Sequence, residues 1–343
     1  MITDNHAAVA KRLMVTSSPH IHSGLTTARV MWEVNIALIP LLAMAIYNFR
    51  FYALTVIFAS IAGACIAEFA IQKFFFKTKP ALADGSALLT GILLALCLPP
   101  TIPAWIAFTG GFVAIAFGKQ AYGGLGQNIF NPAHIGRAIL LASWPVYMTS
   151  WIKPGIDAVS TATPLAFLKD SLKDAGLLAS LSESGKTAVE HTMLTLNISF
   201  SDMFLGMGLA GSIGETSKIA VLIGALFLFI RGHIRLYAPI SMILTVFLGA
   251  YFIGNDLNFA IFHLLAGGLM IGAFFMVTDM VTSPMSRRGN VLFGIGCGII
   301  TLLIRLKGGY PEGVCYSILI MNAFVPLIDK MFAPPKFGTG GNK

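Results

Sequence analysis

Residues 203–230 read MFLGMGLAGSIGETSKIAVLIGALFLFI, an apolar run of 28 residues. As one helix it would extend roughly 42 Å, well beyond the ~30 Å hydrocarbon core of a bilayer. Near its middle lies Gly211-Ser212-Ile213-Gly214-Glu215-Thr216-Ser217. That stretch interrupts the helix, with Thr216 or Ser217 suited to cap the second half. A helix broken at membrane depth is tolerated only where protein or a cavity satisfies the freed backbone groups. The run therefore predicts a membrane-embedded chain with discontinuous spans. A second break follows from Leu98-Pro99-Pro100-Thr101-Ile102-Pro103, which ends the apolar run begun near residue 86 because proline cannot continue a helix.

The remainder of the 343 residues agrees. The chain is 56% hydrophobic and only 11% charged, with a mean hydropathy of +0.79. Soluble globular proteins carry about 25% charged residues, so this chain cannot coat a water-facing surface of normal polarity. Disorder, coiled coil and nucleic-acid binding are excluded as primary readings, the last despite a net charge of +8. Apolar runs near 30–47, 51–72, 86–98, 104–118 and 133–150, then near 203–230, 236–253, 259–277, 290–304 and 313–328, predict ten spans, several of them short. The fold class expected is all-α integral membrane. Its segments are an N-terminal stretch 1–29, a first transmembrane repeat 30–150, a loop 151–202, a second repeat 203–328 and a tail 329–343. The first 29 residues are polar and carry no apolar stretch behind a basic start, so no cleavable signal peptide is expected.

Orientation follows from counting lysine and arginine. With the N-terminus in the cytoplasm, cytoplasmic segments hold fifteen basic residues and the opposite side seven, with Lys218 left inside a span region. The bias places both termini in the cytoplasm. It places 151–202, with six acids against four lysines, outside. The basic balance is thus topology and not a nucleic-acid footprint. An internal echo is also visible: Lys119 with Gly123-Gly124 and a run ending at Pro145, then Lys307-Gly308-Gly309 and a run ending at Pro326. With five spans in each half, such copies lie in opposite orientations, the inverted-repeat plan of many transporters.

Against so apolar a background the polar residues stand out. A charge in hydrocarbon costs at least about 2.5–3.5 kcal/mol. Glu33 and Glu68 lie near span ends and are expected to reach water by snorkelling. Glu215, at the helix break, is a candidate for coupling to an ion or polar ligand, or else accepts from the first amides of the next helix. Asn131-Pro132-Ala133 resembles the aquaporin triplet, but a single copy in a chain with this many spans leaves Asn131 as a cap with Pro132 at the first helical position. His20-x-His22 has no third ligand nearby, so no metal site is expected. The four cysteines, Cys65, Cys97, Cys297 and Cys315, lie in apolar runs without C-x-x-C spacing and read as small buried hydrophobes, neither disulfide framework nor iron–sulfur ligands. In the outside loop, Asp157-Ala158-Val159-Ser160-Thr161-Ala162-Thr163-Pro164 places Thr163 as N-cap and Pro164 as first residue of an amphipathic helix running to about Leu181, with Leu165, Leu168, Leu172 and Leu178 on one face. Hydroxyls held at a helix start are also apt for a phosphate ester, because the free amides favour anions.

Several segments together resemble the RnfD/NqrB family. They are Ser18-Pro19-His20, Asp84-Gly85-Ser86-Ala87 with Thr90-Gly91, Gly126-Gln127-Asn128-Ile129-Phe130-Asn131-Pro132-Ala133 with Gly136-Arg137, Ser143-Trp144-Pro145, Gly214-Glu215-Thr216-Ser217, and Thr278-Asp279 with Thr282-Ser283-Pro284. These proteins are the large membrane subunits of the ion-translocating ferredoxin:NAD oxidoreductase (Rnf) complex and of the sodium-pumping NADH:quinone reductase. The family's flavin motif reads Ser/Thr-Gly-Ala-Thr, and Ser160-Thr161-Ala162-Thr163 matches it except that Thr161 replaces the glycine. The resemblance implies FMN joined through its phosphate to Thr163, a flavin transferase acting on the extracytoplasmic side, and partners among the other Rnf subunits in the inner membrane. It also implies a urea-transporter-like arrangement of two inverted five-helix repeats, coupling of electron transfer to Na⁺ or H⁺ movement, and a second, non-covalent riboflavin. Asp84, Glu215 and Asp279 are the polar positions nominated for an ion or riboflavin site. The redox chemistry would be the flavin's, with no catalytic side chain assigned. The short pre-membrane segment favours the RnfD branch over an NqrB-type subunit. A channel or secondary transporter of the same frame without flavin suits the broken helices equally, and the loop Ser160–Thr163 is what separates the two.

Overall fold

The computed structural model describes residues 25–154, 160–174, 181–215 and 217–333. His20, His22, Asp157, Leu178 and Thr216 lie outside the described residues. Among the described residues the first span is α1 (Thr27–Ala37) and α2 (Ile39–Phe49), joined at Leu38 where Pro40 enters the second helix's first turn. Arg50, at φ 49°, turns the chain into α3 (Phe51–Ala70), which continues through one wide turn to Phe75. α4 (Ser86–Leu96) is only 11 residues and stops before the proline-rich segment, as the sequence predicts. α5 (Ala104–Gly118) follows, then α6 (Pro132–Ser143), whose cap Asn131 accepts from Ala133 N and His134 N as expected. A four-residue turn, α7 (Pro145–Met148), leads out of the first half.

Next comes the segment 151–202. Trp151–Ile152 pairs antiparallel with Ser160–Thr161, the described exception to an all-helical chain. α8 (Pro164–Asp174) begins at the predicted residue, and α9 (Leu181–Leu196) packs against it. α8 is described to Asp174, and the rest of the expected stretch, 175–180, lies outside the described residues. The second half runs through α10 (Phe200–Leu205), α11 (Lys218–Ile230), α12 (Tyr237–Gly254), α13 (Leu257–Leu265), α14 (Leu269–Ile271, running on in a wide turn to Met276), α15 (Arg287–Lys307) and α16 (Val314–Met331).

Among the described residues five helices, counting α1–α2 as one, are long and apolar enough to cross a membrane, and α13–α14 makes a sixth bent by 66°. The other predicted spans are short: α5, at 15 residues, covers about 22 Å. The run 203–230 is broken where expected, with Ser217 capping α11 by accepting from Ala220 N at 3.3 Å. The run 259–277, expected as one span, is broken too. Gly267 there adopts φ 71°, and the Ala266 carbonyl is taken by Arg305 at 2.9 Å. Large apolar side chains such as Phe58, Leu226, Ile230, Leu303 and Leu327 stand more than half exposed on the outer surface, the reverse of a soluble protein and fitting for a lipid-facing one.

One helix pair carries each half, α3 on α5 in the first and α12 on α15 in the second. In the first, a Cβ on Gly63 would lie 2.0 Å from the Phe108 carbonyl oxygen and one on Gly111 2.1 Å from that of Ser60. In the second, a Cβ on Gly294 would lie 2.4 Å from the Ala238 oxygen. Glycine lets these helices meet backbone to backbone, as small residues do in membranes. Gly63→Leu is therefore expected to abolish a monodisperse, cooperatively melting protein. Gly309→Ala, where a Cβ meets nothing within 4 Å, should change stability by less than about 0.5 kcal/mol. Thermal unfolding of the purified chains in detergent checks both.

The helix breaks also face each other. Ile213 N donates to Leu98 O at 3.1 Å and Gly214 N to Leu96 O at 2.7 Å, so the interrupted backbone of one half satisfies that of the other. This is the protein-supplied partner that a broken span at membrane depth requires.

Candidate functional site

Thr163 sits where α8 begins. Its backbone oxygen accepts from Phe167 N at 2.9 Å and its hydroxyl oxygen from Ala166 N at 3.1 Å, making it the helix cap. The next turns hold it down: Leu165 and Leu168 belong to one buried cluster with Val189, Phe259 and Phe262. From the same helix, Lys169 Nζ reaches the carbonyls of Ile304 at 3.1 Å, Gly308 and Tyr310 at 2.8 Å. Those oxygens lie at and just beyond the C-terminal end of α15, where a cation is favoured. Lys169→Met is expected to loosen α8 from α15 and to speed limited proteolysis of 151–202 at least tenfold, equivalent to about 1.4 kcal/mol, while the rest of the chain stays protected.

The result is a Thr163 that is 8% exposed and lines a small, partly open pocket. Gly211, Glu215, Lys218, Ala266 and Gly267 line its other side. Three broken segments thus converge on it: the start of α8, the gap before α11 and the bend between α13 and α14. Lys218, 2% exposed, donates to the backbone oxygen of Glu215. The Glu215 and Glu312 carboxyl groups lie side by side, both within 3.4 Å of where a Cβ on Gly268 would sit. Glu312 in turn pairs with Arg137 at 2.7 Å and accepts from Gly268 N. Arg305, 2% exposed, donates to the carbonyls of His263 and Ala266. A Cβ placed on Gly267 would sit 3.0 Å from the Arg305 guanidinium and 3.3 Å from Glu312, so all five charged groups form one buried cluster.

Asp84 and Asp279 are elsewhere. Asp84 accepts from Ser86 N at 2.8 Å and Ser86 Oγ at 2.6 Å, ahead of α4. Ser86 Oγ also accepts from Lys119, whose Nζ lies 2.7 Å from Glu68. Asp279 accepts from Val281 N and Thr282 Oγ1. It lines a cleft of about 840 Å³, partly open, together with Ser86, Lys119, Asn128 and Asn131. The four nominated residues therefore divide in two: Thr163 with Glu215, and Asp279 with Asp84 across Ser86.

Several expectations need correcting. Glu68 is fully buried in its pair with Lys119, and Glu33 accepts from Arg29, Arg231 and His233. Glu68 does not snorkel, because a fixed cation lowers a carboxylate's energy without a path to water, whereas Glu33 is held by arginines whose side chains are 55% and 40% exposed. Arg137 and Arg305, assigned to opposite faces in the charge count, meet inside one cluster, and Lys119 is internal too. Lys218, Arg137, Arg305 and Glu312 were missed as site residues. Lys218 alone left a signal, as the one basic residue that fits neither face.

The chain matches known proteins along nearly its whole length. The model of the NQR2, RnfD, RnfE family matches residues 14–338. The chain is 47% identical over 333 residues to the D subunit of the proton-translocating ferredoxin:NAD(+) oxidoreductase complex of Clostridium ljungdahlii, covering 95% of this chain and 96% of that protein. It is 44% identical to the D subunit of the Na(+)-translocating ferredoxin:NAD(+) oxidoreductase complex of Acetobacterium woodii, covering 93% of each. With the D subunit of the ion-translocating oxidoreductase complex of Stutzerimonas stutzeri it shares 40% identity over 90% of this chain and 92% of the relative. A multi-pass helical membrane chain with these matches belongs to the NQR2, RnfD, RnfE family, on its RnfD branch.

Proposed function

We propose that the chain is the flavin-carrying membrane subunit of an Rnf-type complex. It would pass electrons between ferredoxin and NAD through FMN held on Thr163, with Na⁺ or H⁺ moved across the inner membrane. The observation that carries this reading is Thr163 at a helix start, opening onto a cavity lined by the buried Lys218. The residues fit the group: the Lys218 ammonium suits a phosphate, and Leu165 N remains to it after Thr163 has taken Ala166 N and Phe167 N. Glycine at positions 211 and 267 keeps the walls of the cavity low. FMN bound there would supply reversible one- and two-electron chemistry. The chain's own part is positional. α8 holds the attachment hydroxyl, Lys169 ties α8 to α15, and the leucine face of α8 keeps water from the buried side.

A second, non-covalent flavin is assigned to the cleft beside Asp279. Val34, Leu89, Leu93 and Phe275 give it apolar walls, and Asn128, Asn131 and Asp279 give it a few polar groups. That is the composition expected for a planar, hydrogen-bonding ligand such as riboflavin. The orientation proposed has both termini in the cytoplasm and the segment 151–202 outside, where a flavin transferase would act. With Lys119, Arg137 and Arg305 set aside as internal, the basic bias between faces is still about two to one. The two halves read as inverted five-helix repeats, supported by the glycine-packed pairs α3–α5 and α12–α15 and by the interrupted α4 and α13–α14.

Mass spectrometry of the tryptic peptide containing Thr163, from protein made with its transferase, tests the attachment. FMN on Thr163 is expected; an unmodified peptide from a colourless protein would favour a flavin-free channel of the same frame. In-gel flavin fluorescence should be retained in Thr161→Ala, which keeps the acceptor hydroxyl.

A further inference from the structure

We propose that the groove between the end of α11 and the starts of α12 and α15 is a binding site for one anionic phospholipid, with Arg235 and Arg287 taking its headgroup. The proposal does not rest on the flavin reading.

The first support is a change of polarity across one residue. On one side of Arg235 lies a pocket to which His233, Ser283 and Asn290 contribute polar side chains. On its other side runs a groove walled by Phe229, Tyr237, Ile240, Leu244 and Val291. Arg235 lines both. Ser241, which also lines the groove, donates its hydroxyl back to the carbonyls of Tyr237 at 2.8 Å and Ala238 at 3.0 Å, so its donor is spent within the helix. A site that is polar at one end and hydrocarbon at the other matches a ligand built the same way.

The second support is charge without a partner. Arg235, Arg287 and Arg288 are exposed, and none makes a hydrogen bond or ion pair among the described residues. The Arg287 guanidinium lies over the Tyr237 ring, 5.9 Å from its centroid, which sets it at the mouth of the groove. The acids of this end of the molecule are already engaged. Glu33 holds Arg29, Arg231 and His233, Asp279 accepts from Val281 N and Thr282 Oγ1, and Asp329 accepts from Met285 N. A phosphate suits the planar fork of an arginine and would supply the missing negative charge.

The third support is depth. α11 ends at Ile230, α12 starts at Tyr237 and α15 starts at Arg287, so the arginines stand level with the helix ends. Tyr237, Ile240 and Leu244 follow one another down one face of α12, which carries the groove about 10 Å below them. Leu226, Phe229 and Ile230 stand exposed on α11, whose end forms one wall. A soluble protein resting on the helix ends reaches the arginines but not Leu244. A phospholipid reaches both, with its phosphate at the helix ends and its chains below. On the orientation proposed above this is the cytoplasmic leaflet, where anionic lipids gather and basic pockets between spans take their headgroups.

The test uses the full chain in detergent, stripped of lipid and given back phosphatidylglycerol or phosphatidylcholine. Native mass spectrometry reads retention and thermal unfolding reads protection. Wild type should hold one phosphatidylglycerol in preference to phosphatidylcholine and melt higher with it, since a ligand that binds the folded state stabilises it by mass action. Arg235→Gln and Arg287→Gln should each cut that preference about fivefold, the effect of one basic residue at an anionic surface. Lys77→Gln, an exposed charge beyond the end of α3, should leave it intact. Equal retention of the two lipids, or a loss in Lys77→Gln matching that in Arg235→Gln, overturns the proposal. Glycerol 3-phosphate, a headgroup without chains, should give no protection; protection by it makes the site one for a free phosphate ester and overturns the lipid. In the intact complex in its own membrane, a photo-crosslinker in place of Ile240 should add the mass of a lipid to the chain. A crosslink to a neighbouring subunit instead gives the groove to a protein helix and overturns the proposal. Should Arg235→Gln fail to fold, Arg287→Gln and the photo-crosslink decide.

Discussion

Thr163→Ala is expected to leave a folded subunit with no covalent flavin and to bring ferredoxin:NAD electron transfer in membrane vesicles down to the level of membranes lacking the complex. The size of this effect comes from chemistry, not stability. Losing the cap hydroxyl at α8 costs about 1 kcal/mol, a loss that a docked helix with buried Leu165 and Leu168 can absorb. Removing the only attachment hydroxyl would remove the redox group itself, for which no side chain can substitute. Thr163→Ser restores both cap and hydroxyl and should recover flavin fluorescence and activity together. Normal turnover by Thr163→Ala, with subunit abundance unchanged, would refute the electron-carrying role.

Glu312→Ala is expected to be among the most destabilising single changes in the chain. It strips the partner from Arg137, whose guanidinium lies 2.7 Å away with both side chains near 11–12% exposed. It also strips the acceptor from Gly268 N in the bend between α13 and α14. Breaking a buried pair by deleting one member costs about 3–5 kcal/mol, and here it raises the positive excess of the cluster as well. The melting temperature should fall by about 5–10 °C. The double variant Arg137→Met with Glu312→Leu should regain at least half of that loss, because neither charge is then left alone. An unchanged melting temperature in Glu312→Ala would show that the pair has other compensation.

How much of this could be read in advance depends on the length scale of each signal. Breaks at Pro99-Pro100 and at Gly211–Ser217 are local events, written in residues that cannot continue a helix, and both were legible. The break at Ala266–Gly268 was not. Its residues are merely small, and what bends the chain is Arg305, 39 positions away, drawing on the Ala266 carbonyl. Thr163 was legible as a cap because Thr-Pro at a helix start is a local pattern. Its neighbours were not, since Arg137 and Glu312 are 175 residues apart and each looks like an ordinary charge beside a loop. A charge count assigns every lysine and arginine to a face by its nearest span end. It fails for the ones the fold turns inward, and Lys218, which no face would accept, was the sole sign that such residues exist.

The burial of Thr163 sets a timetable. Thr163 is 8% exposed, on a helix latched to α15 by Lys169, a placement that would give a modifying enzyme little access in the folded chain. On the flavin proposal, the group would therefore be joined while α8 is still loose, before Leu165 and Leu168 enter their buried cluster. Biogenesis would then have one ordered step that no later repair could supply. A chain that docked α8 first would be sealed without its cargo, and the ratio of active to inert complexes would be decided by a race between a folding helix and a modifying enzyme.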